Sequence, residues 1–83
     1  GVGGISKNGI STYALPETAV NRVILERTTG HRIIVTEGFK VGRDSNFHTA
    51  DCNMITHLIT DHTADPETIA YLKSIGVKVL FIS

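Results

Sequence analysis

The sequence has 83 residues, of which 41% are hydrophobic and 19% are charged, and its eight basic side chains are balanced by eight acidic ones. This composition is typical of one globular domain rather than a disordered tail. A nucleic-acid interface needs a basic surface, so the balanced charge argues against one on this segment. No apolar run approaches the roughly 20 residues of a membrane-spanning helix. The single cysteine, Cys52, cannot form an internal disulfide and fits a reducing cytoplasm.

The first third of the chain joins a glycine-rich segment to a predicted helix. Four glycines within the first nine residues favour a strand end and turns where the backbone must approach something closely. Asn8-Gly9 predicts a tight turn. Proline at position 16, followed by an acidic residue, predicts a helix that begins at Pro16 and stops at Gly30. Its apolar residues recur at helical spacing.

The middle of the chain predicts a strand, a loop and two short elements. The β-branched run 33–35 predicts a strand buried on both faces. A loop at 37–46 precedes a short extended piece at 47–50, after which Asp51 is predicted to cap one helical turn.

From His57 onward the pattern predicts a strand, a helix and a strand, with the helix introduced by Asp65-Pro66 and ended by Gly76. Such a βαβ unit has parallel strands. The predicted fold class is therefore α/β, a mostly parallel sheet with flanking helices. Because two helices cover a parallel sheet thinly, we expect another chain or a second copy to cover exposed apolar surface.

Two loops follow predicted strands, at 36–43 and 60–65, where ligands bind in parallel α/β sheets. Lys40 and Arg43 could supply cationic donors to a phosphate or carboxylate, with glycine neighbours that let backbone N–H groups approach. The alternative is a surface loop with ordinary solvated charges. Glu17 could accept sugar hydroxyls, or it could simply stabilise the helix dipole.

Metal and nucleophile chemistry are not expected. His57 and His62 lie at opposite ends of a short strand, roughly 15 Å apart if it is extended, so they could not share one ion. The side chain of Cys52 is expected to be a small buried hydrophobe, and the adjacent Asp51 would raise the pKa of its thiol. No metal and no cofactor are predicted.

Several different short motifs are distributed along nearly the whole chain. They are Gly4-Ile5-Ser6, Asn8 to Thr12, Glu17 with Val20, Ile33-Ile34-Val35, Lys40-x-Gly42-Arg43, Leu58-Ile59-Thr60-Asp61, Leu72 and Gly76-Val77-x-Val79. In this order and spacing the chain resembles the C-terminal sensor domain of the DeoR family of bacterial sugar-operon transcriptional repressors. The resemblance implies part of the NagB/RpiA/CoA transferase-like fold, shared with ribose-5-phosphate isomerase and glucosamine-6-phosphate deaminase. It also implies a phosphorylated sugar or related metabolite as effector, an oligomeric state and a cytoplasmic location.

The resemblance also implies site residues. Lys40 matches the loop lysine, Glu17 the helix-start glutamate of the sugar pocket, and Gly4 a glycine of the Gly-x-Asp-Gly-Ile stretch. Gly3, Gly42 and Arg43 complete the implied effector site. The family pattern Asp-x-Ser-Lys-Phe-Gly-Arg reads Glu37 to Arg43 here, with phenylalanine at position 39 in place of serine, and Gly3 replaces the aspartate of the earlier stretch.

The whole chain, residues 1–83, is thus interpreted as the C-terminal half of a sugar-phosphate-sensing effector domain. The DNA-binding winged helix-turn-helix, and with it any contact to DNA, would lie outside this chain. Binding without catalysis is expected. The alternatives are a fragment of a small sugar-phosphate isomerase or deaminase-like enzyme, and an oligomerisation module without a ligand.

Overall fold

The structure, a computed structural model, describes residues 2–13 and 30–82. Two three-stranded sheets form most of this part of the chain. The strands are β1 (Gly4–Ser6), β2 (Gly9–Thr12), β3 (Ile33–Val35), β4 (Phe47–Ala50), β5 (His57–Thr60) and β6 (Lys78–Phe81). The α-helix in this part is α1 (Pro66–Ser74), and short 3-10 helices span Gly38–Lys40 and Cys52–Met54. No helix in the two described stretches is long and apolar enough to cross a membrane.

The first sheet is antiparallel, in the order β1-β2-β4. Its first two strands form a hairpin whose turn contains Asn8-Gly9, which confirms the predicted turn. Gly9 has a φ of +121°, and a Cβ there would lie 2.4 Å from the carbonyl oxygen of Ala50. Glycine is therefore required both by its backbone conformation and by the neighbouring strand.

The second sheet is parallel, in the order β3-β5-β6, and α1 connects its last two strands. The Asp65 side chain caps α1 by accepting the N–H of Thr68 at 2.9 Å, with Pro66 in the first turn. Gly76, with a φ of +95°, follows the helix end. The predicted βαβ unit and its helix signals are confirmed.

The predicted fold class, a mostly parallel sheet with flanking helices, is wrong, and so is the NagB/RpiA/CoA transferase-like architecture inferred with it. Three of the six described strands lie in an antiparallel sheet. The glycine-rich start of the chain turns back on itself at Asn8-Gly9, and β4, far along the chain, then pairs with β2 instead of joining the parallel strands. The predicted helix at 16–29 lies outside the described residues.

Strand β3 is not buried on both faces, contrary to prediction. Ile33 is 51% exposed and Val35 is 65% exposed. Ile34 between them packs with Leu58 and Val79 against the buried core. The sheet face opposite that core is therefore largely uncovered among the described residues.

One cluster of buried side chains joins both sheets and the helix: Ile5, Ile10, Val41, Ala50, Cys52, Ile55, Leu58, Ala64, Ile69, Leu72 and Val77. Cys52 is buried, as predicted. Burial raises the pKa of its thiol, and the nearby Asp51 carboxylate raises it further. Asp51 does not cap the turn that follows it; its carboxylate lies 3.1 Å from Nε2 of His48 instead.

Candidate functional site

The loop after β3 crosses β1 and brings two of the predicted cations to the glycine-rich start. Val41 forms a parallel bridge with Ile5, and the N–H of the following residue donates to the Ile5 carbonyl at 2.6 Å. Gly4 packs against the Arg43 backbone so closely that a Cβ would lie 2.2 Å from the Arg43 carbonyl oxygen. The ammonium of Lys40 donates to the Val2 carbonyl at 3.3 Å. The structure thus places Lys40, Arg43 and Gly4 in one region.

The remaining predicted site residues occupy different surroundings. A Cβ at Gly3 would lie 2.6 Å from Oγ of Ser45, and one at Gly42 would lie 2.7 Å from Cβ of Asp65. The close approach that these glycines allow is therefore made by the chain itself. Glu17 lies outside the described residues.

An exposed aromatic ring lies between the two cations. Phe39 is 57% exposed, and its ring centroid is 5.8 Å from Nζ of Lys40 and 5.4 Å from Cζ of Arg43. Both contacts fall within the range of cation–π interactions. In the sequence Phe39 was only a departure from the family pattern, because nothing local reveals whether such a ring lies inside or outside.

A depression of about 370 Å³ opens at the carboxyl ends of the parallel strands. It is lined by Val35, Thr36, Glu37, Thr60, Asp61 and Ile82. The two loops predicted from sequence meet here, since the carboxyl ends of parallel strands share one edge of the sheet. Its size is at the lower end of the range for small-molecule sites, roughly 300–1,000 Å³.

Glu37 links this depression to the cationic loop. Glu37 lines the depression, and its carboxylate lies 3.2 Å from Nζ of Lys40. A ligand that occupied the depression would therefore lie beside the carboxylate that positions the Lys40 ammonium.

Asp61 holds the two strand-end loops together. It accepts the N–H of Gly38 at 2.9 Å on one oxygen, and the N–H of Thr63 at 2.8 Å and the Thr63 hydroxyl on the other. The hydroxyl and N–H of Thr63 and the N–H of Gly38 lower the pKa of Asp61 below its ordinary value of 3.8. The carboxylate is therefore ionised at neutral pH. A carboxylate offers about four acceptor positions, so one remains for a ligand hydroxyl.

Thr60 adds a feature that sequence reasoning missed. Thr60 is 1% exposed and lines the depression, yet its hydroxyl has no hydrogen-bond partner within the described structure. A buried hydroxyl without a partner costs about 1–3 kcal/mol. Such groups in native proteins call for an explanation, and one explanation is a ligand that completes the hydrogen bond.

Comparison with family models, curated proteins and solved structures gave no match. Among the described residues, no three His, Cys, Asp or Glu side chains are grouped so that they could hold a metal ion.

Proposed function

We propose that this chain is the effector-binding part of a DeoR-type transcriptional regulator and that its effector is a sugar phosphate. The observation that carries the proposal is the link made by Glu37 between a carboxylate-lined depression and the cations around Phe39. A sugar phosphate needs hydrogen-bond acceptors for its hydroxyls and cations for its phosphate, and this edge of the sheet offers both.

The proposed contacts follow from the chemistry of each group. Carboxylates accept hydrogen bonds from hydroxyls, and Asp61 and Glu37 line the depression where the sugar would lie. Lys40 and Arg43 would pair with the phosphate through charge-assisted hydrogen bonds. The exposed ring of Phe39 would provide a flat apolar surface for the sugar ring.

Binding, rather than catalysis, is the proposed role. An effector regulates by its different affinity for two states of the protein, and this requires no acid–base pair. In this proposal the DNA-binding region belongs to another part of a longer chain, and the regulator acts in the cytoplasm. Turnover of pentose or amino-sugar phosphates that is lost in Lys40→Ala would favour an enzyme instead.

Replacing Lys40 with glutamine is expected to weaken sugar-phosphate binding at least tenfold. A hydrogen bond to a charged group contributes about 1.5–3 kcal/mol, and 1.4 kcal/mol corresponds to a tenfold change in Kd. Isothermal titration calorimetry of the full chain against a panel of pentose and hexose phosphates measures this. Lys7→Gln, an exposed substitution in the β1–β2 turn, serves as the matched control. Equal affinity of the Lys40 variant and the control, or no binding by the wild type, would contradict the proposal.

We further propose that a second copy of the chain covers the open face of the parallel sheet. Strand register and side-chain alternation arrange the side chains on that face in three rows, each of which runs across the three strands. They are a mostly basic row (Ile33, His57, Lys78), an apolar row (Val35, Ile59, Leu80) and a mostly acidic row (Glu37, Asp61, Ile82). A two-fold axis perpendicular to the strands would set the basic row of one copy on the acidic row of the other and pair the apolar rows. The face is therefore complementary to itself. Because Val35, Glu37, Asp61 and Ile82 also line the depression, association of two copies and binding of an effector there would exclude each other.

Val35→Glu is expected to abolish this association, because Val35 lies in the apolar row and is 65% exposed. Sedimentation equilibrium of the wild type is expected to show a mass that rises from one copy to two with concentration. Ala70→Glu, an exposed position on α1 and away from this face, should leave the rise intact. A wild type that stays monomeric at millimolar concentration, or a Val35 variant that still dimerises, would refute the proposed interface.

A further inference from the structure

A second groove lies at the opposite, amino-terminal edge of the parallel sheet. It measures about 510 Å³ and is lined by Gly30, His31, Arg32, Asn53, Ile55, Thr56, His57, Ile75, Gly76 and Lys78. Four of these ten residues are lysine, arginine or histidine, and none of the ten is acidic. We propose that this groove binds the phosphoryl group of a phosphorylated small molecule, independently of the site proposed at the carboxyl edge.

Strand register explains why the basic groups converge. His57 pairs with Lys78 across β5 and β6, and with Ile33 on the other side. His31 lies two residues before Ile33 and therefore on the same side as His57 and Lys78. β5 and β6 thus each begin with a basic side chain and His31 lies two residues before β3, although these residues are far apart in sequence.

Hydrogen bonds within the chain hold the wall of the groove in place. The N–H of Arg32 donates to Oγ1 of Thr56 at 2.8 Å, and its guanidinium donates to the carbonyls of Met54 and Gly30. The Thr56 hydroxyl also lies 2.8 Å from Nδ1 of His57. This contact fixes the His57 ring and leaves its Nε2 for a ligand. A preformed wall lowers the entropy lost on binding.

The two histidines are close enough for an anion to bridge them. The rings of His31 and His57 meet edge to face with centroids 4.9 Å apart. An anion placed beside both rings could accept an N–H from each of them. Lys78, which lines the same groove, adds a fixed positive charge.

The charges around the two edges of the sheet differ. At the carboxyl edge the Glu37 carboxylate lies 3.2 Å from the Lys40 ammonium, so a ligand phosphate there would share Lys40 with Glu37. At the amino edge Lys78 makes no ion pair with any described residue. The C-terminal end of α1 also faces this groove, but Gly76 and Val77 donate to the carbonyls of Lys73 and Leu72 at 3.1 and 3.0 Å. These bonds satisfy two of the carbonyls whose partial negative charge would oppose an anion.

The size of the groove defines the ligand class further. A phosphate ion alone would fill a small part of about 510 Å³. The remaining wall, with Asn53, Thr56 and the apolar Ile55 and Ile75, suits a small organic group that carries the phosphate.

Titration of the full chain with inorganic phosphate, followed by histidine NMR resonances, tests the proposal. The signals of His31 and His57 are expected to shift and saturate, while that of His62 at the other edge of the sheet stays constant. Lys78→Gln and His57→Gln should each weaken the phosphate affinity at least about fivefold, whereas Lys7→Gln should not. Lys78 is exposed, so its substitution tests the groove without disturbing the core.

Three outcomes would overturn the proposal. The first is a shift that sodium chloride at equal ionic strength reproduces, since this would be screening and not binding. The second is an unchanged affinity in Lys78→Gln, and the third is a phosphate response confined to the carboxyl edge. Lys40→Gln separates the two sites, because it should weaken sugar-phosphate binding at the carboxyl edge and leave the His31 and His57 shifts intact.

Discussion

Substitution of Gly4 by alanine is expected to destabilise the chain by about 3 kcal/mol, the upper end of what overpacking costs in a well-packed site. The added Cβ would lie 2.2 Å from the carbonyl oxygen and 2.9 Å from the carbonyl carbon of Arg43. Both atoms belong to the backbone, so no rotamer change can relieve the overlap. The loop that carries Lys40 and Arg43 would have to move away from β1. Urea unfolding, with the midpoint and slope compared to wild type, measures the loss.

Gly76→Ala provides the matched control for Gly4→Ala. Gly76 has a φ of +95°, but a Cβ there would meet no atom within 4 Å. Its substitution should cost about 1–2 kcal/mol from the left-handed conformation alone. Equal losses in the two variants would show that the contact between β1 and the Arg43 backbone does not hold the loop.

Substitution of Gly38 by alanine is also expected to lower the free energy of unfolding by about 3 kcal/mol. A Cβ at this position would lie 2.4 Å from both Oδ1 of Asp61 and Oγ1 of Thr63, and 2.5 Å from the Ala64 nitrogen. Gly38 also donates its N–H to Asp61. The substitution would therefore push apart the two loops that form the depression, so it should reduce sugar-phosphate affinity as well as the free energy of unfolding.

The pH dependence gives Gly38→Ala a distinctive signature. Hydrogen bonds from Thr63 and Gly38 lower the pKa of Asp61 in the folded chain. Their contribution to stability is fully present above the ordinary value of 3.8 and is lost as pH falls through the lower folded pKa. Because the variant has already lost the bond from Gly38, the stability difference from wild type should shrink below about pH 4. A difference that stays constant from pH 7 to pH 3 would exclude the lost hydrogen bond to Asp61 as a contributor and leave the steric overlap as the cause.

The elements predicted correctly are those whose signals are local. Asp65-Pro66 and Gly76 act within one turn of α1, and Asn8-Gly9 acts within its own hairpin. The burial and raised thiol pKa of Cys52 also followed from its chemistry and its neighbour Asp51.

The errors arose where pairing partners decide the outcome. A β-branched run such as Ile33 to Val35 has the same pattern whether one face or both are covered, and here one face is largely uncovered among residues 2–13 and 30–82. The antiparallel sheet was missed because strand direction depends on which strand β4 meets, and β4 pairs with β2 across 34 intervening residues that carry no sign of it.

The candidate sites also have features that a short segment predicts and features that depend on contacts between distant segments. The sequence alone indicated that a loop with Lys40 and Arg43 follows a strand. Strand ends and charges are properties of a short segment, so no tertiary contact is needed to recognise them. The contact of Gly4 with the Arg43 backbone, the exposure of Phe39 and the link through Glu37 came only from the tertiary structure. The same holds for the meeting of His31, His57 and Lys78. Parallel strands place residues far apart in the chain side by side, and the register that does so is fixed by hydrogen bonds between strands rather than by any one segment.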